Sequence, residues 1–84
     1  MNKHLFAVYL GGRYGDTFIE DHEIIFVIAW DKDEAKKLAK VKSKIKIDIH
    51  CDGIIEIKNV DGYTIDITQG WEESIVYDNS YNSL

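Results

Sequence analysis

The stretch Ile45-Lys46-Ile47-Asp48-Ile49-His50-Cys51-Asp52-Gly53-Ile54-Ile55-Glu56-Ile57-Lys58-Asn59-Val60-Asp61-Gly62-Tyr63-Thr64-Ile65-Asp66-Ile67 decides how this chain is read. Apolar residues recur at alternate positions, the period of a strand with one buried face. Asp52-Gly53 and Asp61-Gly62 interrupt that period, and Asp-Gly is a strong hairpin signal. A two-residue turn at Asp52-Gly53 sets Ile49 opposite Glu56 and Ile47 opposite Lys58, mixing core and solvent faces. A three-residue loop, Cys51-Asp52-Gly53, pairs Ile49 with Ile55 and Ile47 with Ile57. It also puts glycine where the backbone turns left-handed. The same comparison favours Val60-Asp61-Gly62, pairing Ile57 with Ile65 and Ile55 with Ile67. The expectation is a three-stranded meander whose register is fixed, because a one-residue slip inverts a whole strand.

Upstream, residues 4–10 (HLFAVYL) and 23–30 (EIIFVIAW) are apolar on both faces. That pattern suits strands buried on both sides, at the centre of a sheet. Residues 11–22 between them, with Gly11, Gly12, Gly15 and Asp16, read as a returning loop. Asp31 with Glu34 three residues later marks a helix start, with acidic charge at the positive dipole end. Ala35, Leu38, Ala39 and Lys42 continue at helical spacing to about Lys42. The predicted fold is one small α+β domain over residues 1–77, in the order β-β-α-β-β-β. It has a mostly antiparallel sheet, one helix on one face and a C-terminal meander. Trp71, Ile75, Val76 and Tyr77 read as a short edge element, and residues 78–84 as a frayed tail.

Composition narrows the function classes. The chain has 84 residues, enough for a modest core, and fifteen acidic against ten basic residues give a net charge of -5. Nucleic-acid binding is not expected, because Lys36, Lys37, Lys40 and Lys42 share their helix with Asp33 and Glu34. The single Cys51 fits a reducing compartment. The longest apolar run, residues 24–30, is too short for a membrane span, so a cytoplasmic location with no membrane partner is expected. One helix covers only one face of a sheet whose first two strands are apolar on both. The second face has to be covered by the Trp71 segment, the glycine loop or another copy of the chain, and a two-fold homodimer, the commonest solution, is the expected one.

Several ordered elements carry a family resemblance. Leu5-Phe6-Ala7-Val8-Tyr9-Leu10-Gly11-Gly12 is followed by Ile19-Glu20-Asp21-His22-Glu23 ahead of Phe26-Val27. His50-Cys51-Asp52 and Val60-Asp61-Gly62-Tyr63 come next. Together, over residues 3–67, they resemble a small bacterial family catalogued as domain of unknown function 1543. The resemblance implies a compact bacterial cytoplasmic domain with no assigned activity, so no catalytic residue is carried over. Its motif positions here are Gly11, Gly12, Glu20, His22, His50, Asp52, Asp61 and Gly62. Some members carry two such units in one chain, which is compatible with pairing between chains.

Two constellations offer chemistry. Glu20 with His22, and His50 with Asp52, each stand at the i, i+2 spacing that puts two side chains on one face of a strand. Two imidazoles and two carboxylates suit Zn²⁺ or another divalent transition metal, or a His–carboxylate acid/base pair. The structural account of the same residues is a turn at Asp52 and polar positions where a strand begins. In the meander register, Asp48, Glu56 and Asp66 form a second row, able to hold a hard cation or be neutralised by Lys46 and Lys58. Gly11 to Gly15 follow a strand but precede no helix, so they lack the amides of a phosphate loop. Arg13 remains able to meet an anionic ligand or a partner's carboxylate. Cys51 points to the face opposite its neighbour His50, which disfavours a nucleophilic pair. The ligand-binding candidates are therefore Gly11, Gly12, Arg13, Glu20, His22, His50 and Asp52. His22, His50, Glu20 and Asp52 are also the candidate metal ligands. No spacing assigns a reaction, and no cofactor is required beyond that optional divalent metal. The expected function is a non-catalytic, self-associating binding module for a small ligand or protein. The alternative is a small metal-binding or hydrolytic enzyme using the His/carboxylate cluster.

Overall fold

A computed structural model describes residues 2–16 and 18–70. The chain is a small α+β unit: β1 (His4–Arg13), β2 (Asp21–Ala29), α1 (Lys32–Lys42), β3 (Ile47–Glu56) and a short hairpin of β4 (Asn59–Val60) and β5 (Tyr63–Thr64). The main sheet is antiparallel with order β2-β1-β3, so β1 is central and β2 and β3 are its edges. The expected edge element at Trp71 to Tyr77 and the expected tail lie outside the described residues. No helix among the described residues is long and apolar enough to cross a membrane.

Alternation along β1 divides the sheet into two faces. Phe6, Val8 and Leu10 point inward and are at most 2% exposed, joined by Val27, Ala29, Ala35, Ala39 and Ile45. Burying side chains of this size contributes roughly 1.5–3 kcal/mol each for the larger ones. The helix starts and stops where its sequence signals stand. The Asp31 carboxylate accepts from Glu34 N at 2.8 Å, and Glu34 reaches back to accept from Trp30 N at 2.9 Å. At the other end Ser43 N donates to Ala39 O, and the Ser43 hydroxyl donates to inward-facing Glu23. That anchor ties the helix exit to β2 and delivers buried Ile45 to the core ahead of β3.

The meander is corrected by the register. The chain runs straight through Cys51-Asp52-Gly53 as one strand, and β3 pairs with β1 rather than folding back on itself. Ile47 and Ile49 face Arg13 and Gly12 territory on β1, and Ile55 pairs with Ala7, not with Ile49. Asp52-Gly53 is a β-bulge: Leu10 opposes Cys51 and Tyr9 opposes Gly53, leaving Asp52 as the extra residue. The second Asp-Gly does turn the chain, but as a two-residue loop. Asn59 pairs with Thr64 and Val60 with Tyr63, with Asp61 at φ 54 and Gly62 at φ 84. Positive φ at both central residues marks a type I′ turn. The acidic row dissolves with the meander: Asp48 pairs with Arg13, and Glu56 meets His4 at 3.0 Å. Strand boundaries move too, since Gly11 and Gly12 belong to β1 rather than to a loop. The outward residues of β2 are open rather than buried, with Ile24 60% and Phe26 56% exposed.

Candidate functional site

The outward row at one end of the sheet reads His22, Gly11, His50 across β2, β1 and β3. Gly11 has no side chain, so the residues flanking it can lean together over the central strand. Glu20 enters from the chain just before β2, and Asp52, two residues after His50 on β3, shares its face. All four members of the predicted cluster meet there. His50 Nε2 lies 2.8 Å from Glu20 Oε1 and 3.2 Å from Asp52 Oδ1. His22 Nε2 lies 3.8 Å from Glu20 Oε1 and 3.6 Å from Asp52 Oδ2. One ligand atom from each of Glu20, His22 and Asp52 falls within 4.8 Å of the others.

Gly11 is buried beneath this group. A Cβ there would stand 2.5 Å from Glu20 Oε1 and 2.7 Å from both Asp52 Oδ2 and His50 Nε2. A glycine inside a strand often marks such a close approach, and here the approach is by functional side chains.

Each imidazole is oriented by a second contact. His50 Nδ1 lies 2.9 Å from the Asp48 carbonyl, which can only accept, so the hydrogen belongs on Nδ1 and Nε2 faces the carboxylates. Asp48 presents that carbonyl from a left-handed backbone at φ 52, a conformation aspartate tolerates better than most residues. That hydrogen bond, and then the Asp52 and Glu20 carboxylates, hold the His50 imidazole above its ordinary value of 6.5, against desolvation pushing it down. His22 is stacked on Tyr9 with ring centroids 5.1 Å apart and planes within 5°.

The remaining candidates sit elsewhere. Gly12, at φ 148, faces the opposite side, where a Cβ would meet Ile45 Cγ2 at 2.5 Å and the Ile47 carbonyl at 2.8 Å. Its duty is packing. Arg13 pairs within the chain, with Asp48 at 2.5 Å and Asp16 at 4.0 Å. Cys51 packs against the core and donates its thiol to Gly53 O, away from His50 as its parity requires. Tyr9 is a site residue that sequence reading passed over, and Asp48, read there as part of an acidic row, contributes here through its backbone carbonyl to His50. Tyr9 lies in the outward set of β1, but nothing local to it signals a stack on a histidine thirteen residues away.

Chemically, the cluster offers two nitrogen and two oxygen donors on an open sheet face. An ion with four bonds of about 2.0–2.1 Å holds its donors roughly 3.3 Å apart at tetrahedral angles. The four histidine–carboxylate separations, 2.8 to 3.8 Å, lie on either side of that value. Hydrogen bonding accounts for the two short distances to His50, but 3.6 and 3.8 Å at His22 exceed hydrogen-bond length. No curated protein and no solved structure matches the chain. Residues 17–67, more than half of the chain and including all four clustered side chains, match the model of the Domain of Unknown Function DUF1543, and the chain belongs to that family.

Proposed function

We propose that this chain is a non-catalytic binding domain for a divalent transition metal, with Glu20, His22, His50 and Asp52 as ligands. The observation that carries the reading is the convergence of these side chains over Gly11: donor atoms of Glu20, His22 and Asp52 lie within 4.8 Å of one another, and His50 Nε2 lies 2.8 and 3.2 Å from the same two carboxylates. Two imidazoles favour Zn²⁺ or a neighbouring transition metal over Ca²⁺ or Mg²⁺, which prefer all-oxygen shells. The Nδ1–H bond from His50 to the Asp48 carbonyl is the outer-shell contact that commonly orients a metal-bound histidine. Four protein donors fill a tetrahedral shell and leave no position for an activated water, which favours binding over hydrolysis. The lone free thiol of Cys51 supports a reducing, cytoplasmic setting, and the family resemblance supports a bacterial one.

Elemental analysis of protein purified without a His-tag, followed by calorimetric titration with Zn²⁺, tests the reading. One ion per chain is expected, with affinity lost in both His22→Ala and His50→Ala. A wild-type chain that binds no Zn²⁺, or two variants that bind as it does, would overturn the proposal.

A further inference from the structure

We propose that Arg13 is a positioning residue for His50: its guanidinium holds the Asp48 carboxylate, and through it keeps the Asp48 carbonyl on His50 Nδ1. The role rests on the metal reading for its purpose, but it can be measured in the metal-free chain. Asp48 is the residue that points to it. Among the described residues only Asp48 and Asp61 have positive φ without being glycine, and Asp61 is accounted for by its turn. Asp48 instead stands inside β3 at φ 52, where no turn asks for such a backbone. A left-handed residue of this kind persists only where its surroundings hold it, and such residues collect at functional sites.

Two contacts hold Asp48, one at each end. Its carboxylate accepts from Arg13 Nη2 at 2.5 Å, a charge-assisted bond, and its carbonyl faces His50 Nδ1 at 2.9 Å. In a regular strand a carbonyl lies in the sheet and points at a neighbouring strand, away from the side chain two residues on. The departure at Asp48 releases its carbonyl for His50. Arg13 is placed for this by the register. It is the last residue of β1, opposite Ile47 and so beside Asp48, and Lys46 N donates to its carbonyl at 3.3 Å. Asp16 lies farther from the guanidinium, at 4.0 Å.

The consequence for His50 is which nitrogen carries hydrogen. A neutral imidazole has one N–H, and either nitrogen can hold it. With the Asp48 carbonyl in place it sits on Nδ1, and the Nε2 lone pair faces the centre, ready for a metal. Without that carbonyl the hydrogen moves to Nε2, where Glu20 at 2.8 Å and Asp52 at 3.2 Å accept it. That form offers the centre no lone pair. Arg13 therefore acts on the site from two contacts away.

Ring ¹⁵N NMR and calorimetric Zn²⁺ titration of the untagged full chain test this together. In EDTA at pH 8.5, wild type is expected to carry the His50 hydrogen on Nδ1, and Arg13→Gln to shift it toward Nε2. Zn²⁺ affinity should fall about three- to tenfold in Arg13→Gln, less than for a direct outer-shell partner, and recover in Arg13→Lys, which keeps a cation within reach. Both variants should melt close to wild type, since the Arg13 and Asp48 side chains are 29% and 74% exposed. Asp48→Gly adopts φ 52 without steric cost but removes the carboxylate, so it should match Arg13→Gln. The double variant should then bind no more weakly than either single one. Losses that add in the double variant would overturn the role, because Arg13 would then act by another route. Arg13→Gln with wild-type tautomer and affinity would overturn it too, and leave the metal reading standing. If wild type binds no Zn²⁺ while Arg13→Gln still moves the hydrogen, the metal reading falls and the placing of His50 by Arg13 stands.

Discussion

Gly11→Ala separates the site from the fold more cleanly than removal of any ligand. The added methyl lands 2.5 to 2.7 Å from Glu20 Oε1, Asp52 Oδ2 and His50 Nε2, and all three are tips of side chains free to swing outward. The backbone need not move. Displacing those tips breaks ion pairs whose side chains are 36–48% exposed, and pairs in that setting are worth about 0–1 kcal/mol. Against this, replacing a glycine inside a strand recovers about 0.5–1 kcal/mol of backbone entropy. The net change in stability is expected within about 1 kcal/mol of zero, or a melting shift no larger than roughly 4–8 °C. Zn²⁺ affinity behaves differently, because three of four donors leave their positions together. Loss of an outer-shell partner alone costs 10–100-fold, so a fall of about 100-fold or more is expected, near 2.8 kcal/mol. Calorimetric titration alongside thermal melts of both proteins measures the two effects. A folded Gly11→Ala chain binding Zn²⁺ with wild-type affinity would refute the reasoning.

Three further outcomes follow from the same geometry. Gly12→Ala is expected to destabilise by about 3 kcal/mol or more, since its Cβ meets backbone at 2.8 and 3.1 Å and buried Ile45 at φ 148; urea denaturation checks it. Gly62→Ala should cost about 1 kcal/mol for its φ of 84 in the type I′ turn, while leaving Zn²⁺ binding unchanged in the same titration. The raised His50 value gives the metal-free chain a pH signature. Its stabilising contribution is full below 6.5 and is lost as pH rises through the folded-state value, so melts in EDTA should fall from pH 6 to pH 8. His50→Gln should remove that slope. Zn²⁺ affinity should run the other way and rise with pH, as the ion displaces the proton shared with Glu20 and Asp52.

The parts of this molecule legible in its sequence are those fixed by near neighbours. Asp31 and Glu34 announce the helix start, and both make the expected capping contacts. The i, i+2 pairs Glu20/His22 and His50/Asp52 correctly put each pair on one face. The meander failed because β3 pairs with β1, some forty residues upstream, and no local signal reveals a partner so distant. Asp52-Gly53 has turn chemistry, but a bulge uses the same chemistry to change parity within a strand: Asp52 keeps the face of His50, and the extra residue returns Ile54 to the core side. Gly11 was hidden for a related reason. Read as the first residue of a loop, it is a strand residue whose missing side chain makes room for four others. A glycine continuing an alternating apolar run was the available clue. The packing deficit, by contrast, was visible in the two-faced pattern of the first strands and survives as the exposed outer face of β2.

The most direct test of the central claim is X-ray absorption at the zinc edge on the protein loaded with one equivalent of Zn²⁺. The expected spectrum shows four nitrogen and oxygen neighbours at about 2.0–2.1 Å with outer-shell scattering from two imidazoles. That scattering should fall to one imidazole in either His22→Ala or His50→Ala. A shell of six oxygens without imidazole scattering, or a spectrum unchanged by both substitutions, would contradict the assignment of Glu20, His22, His50 and Asp52 as a metal centre.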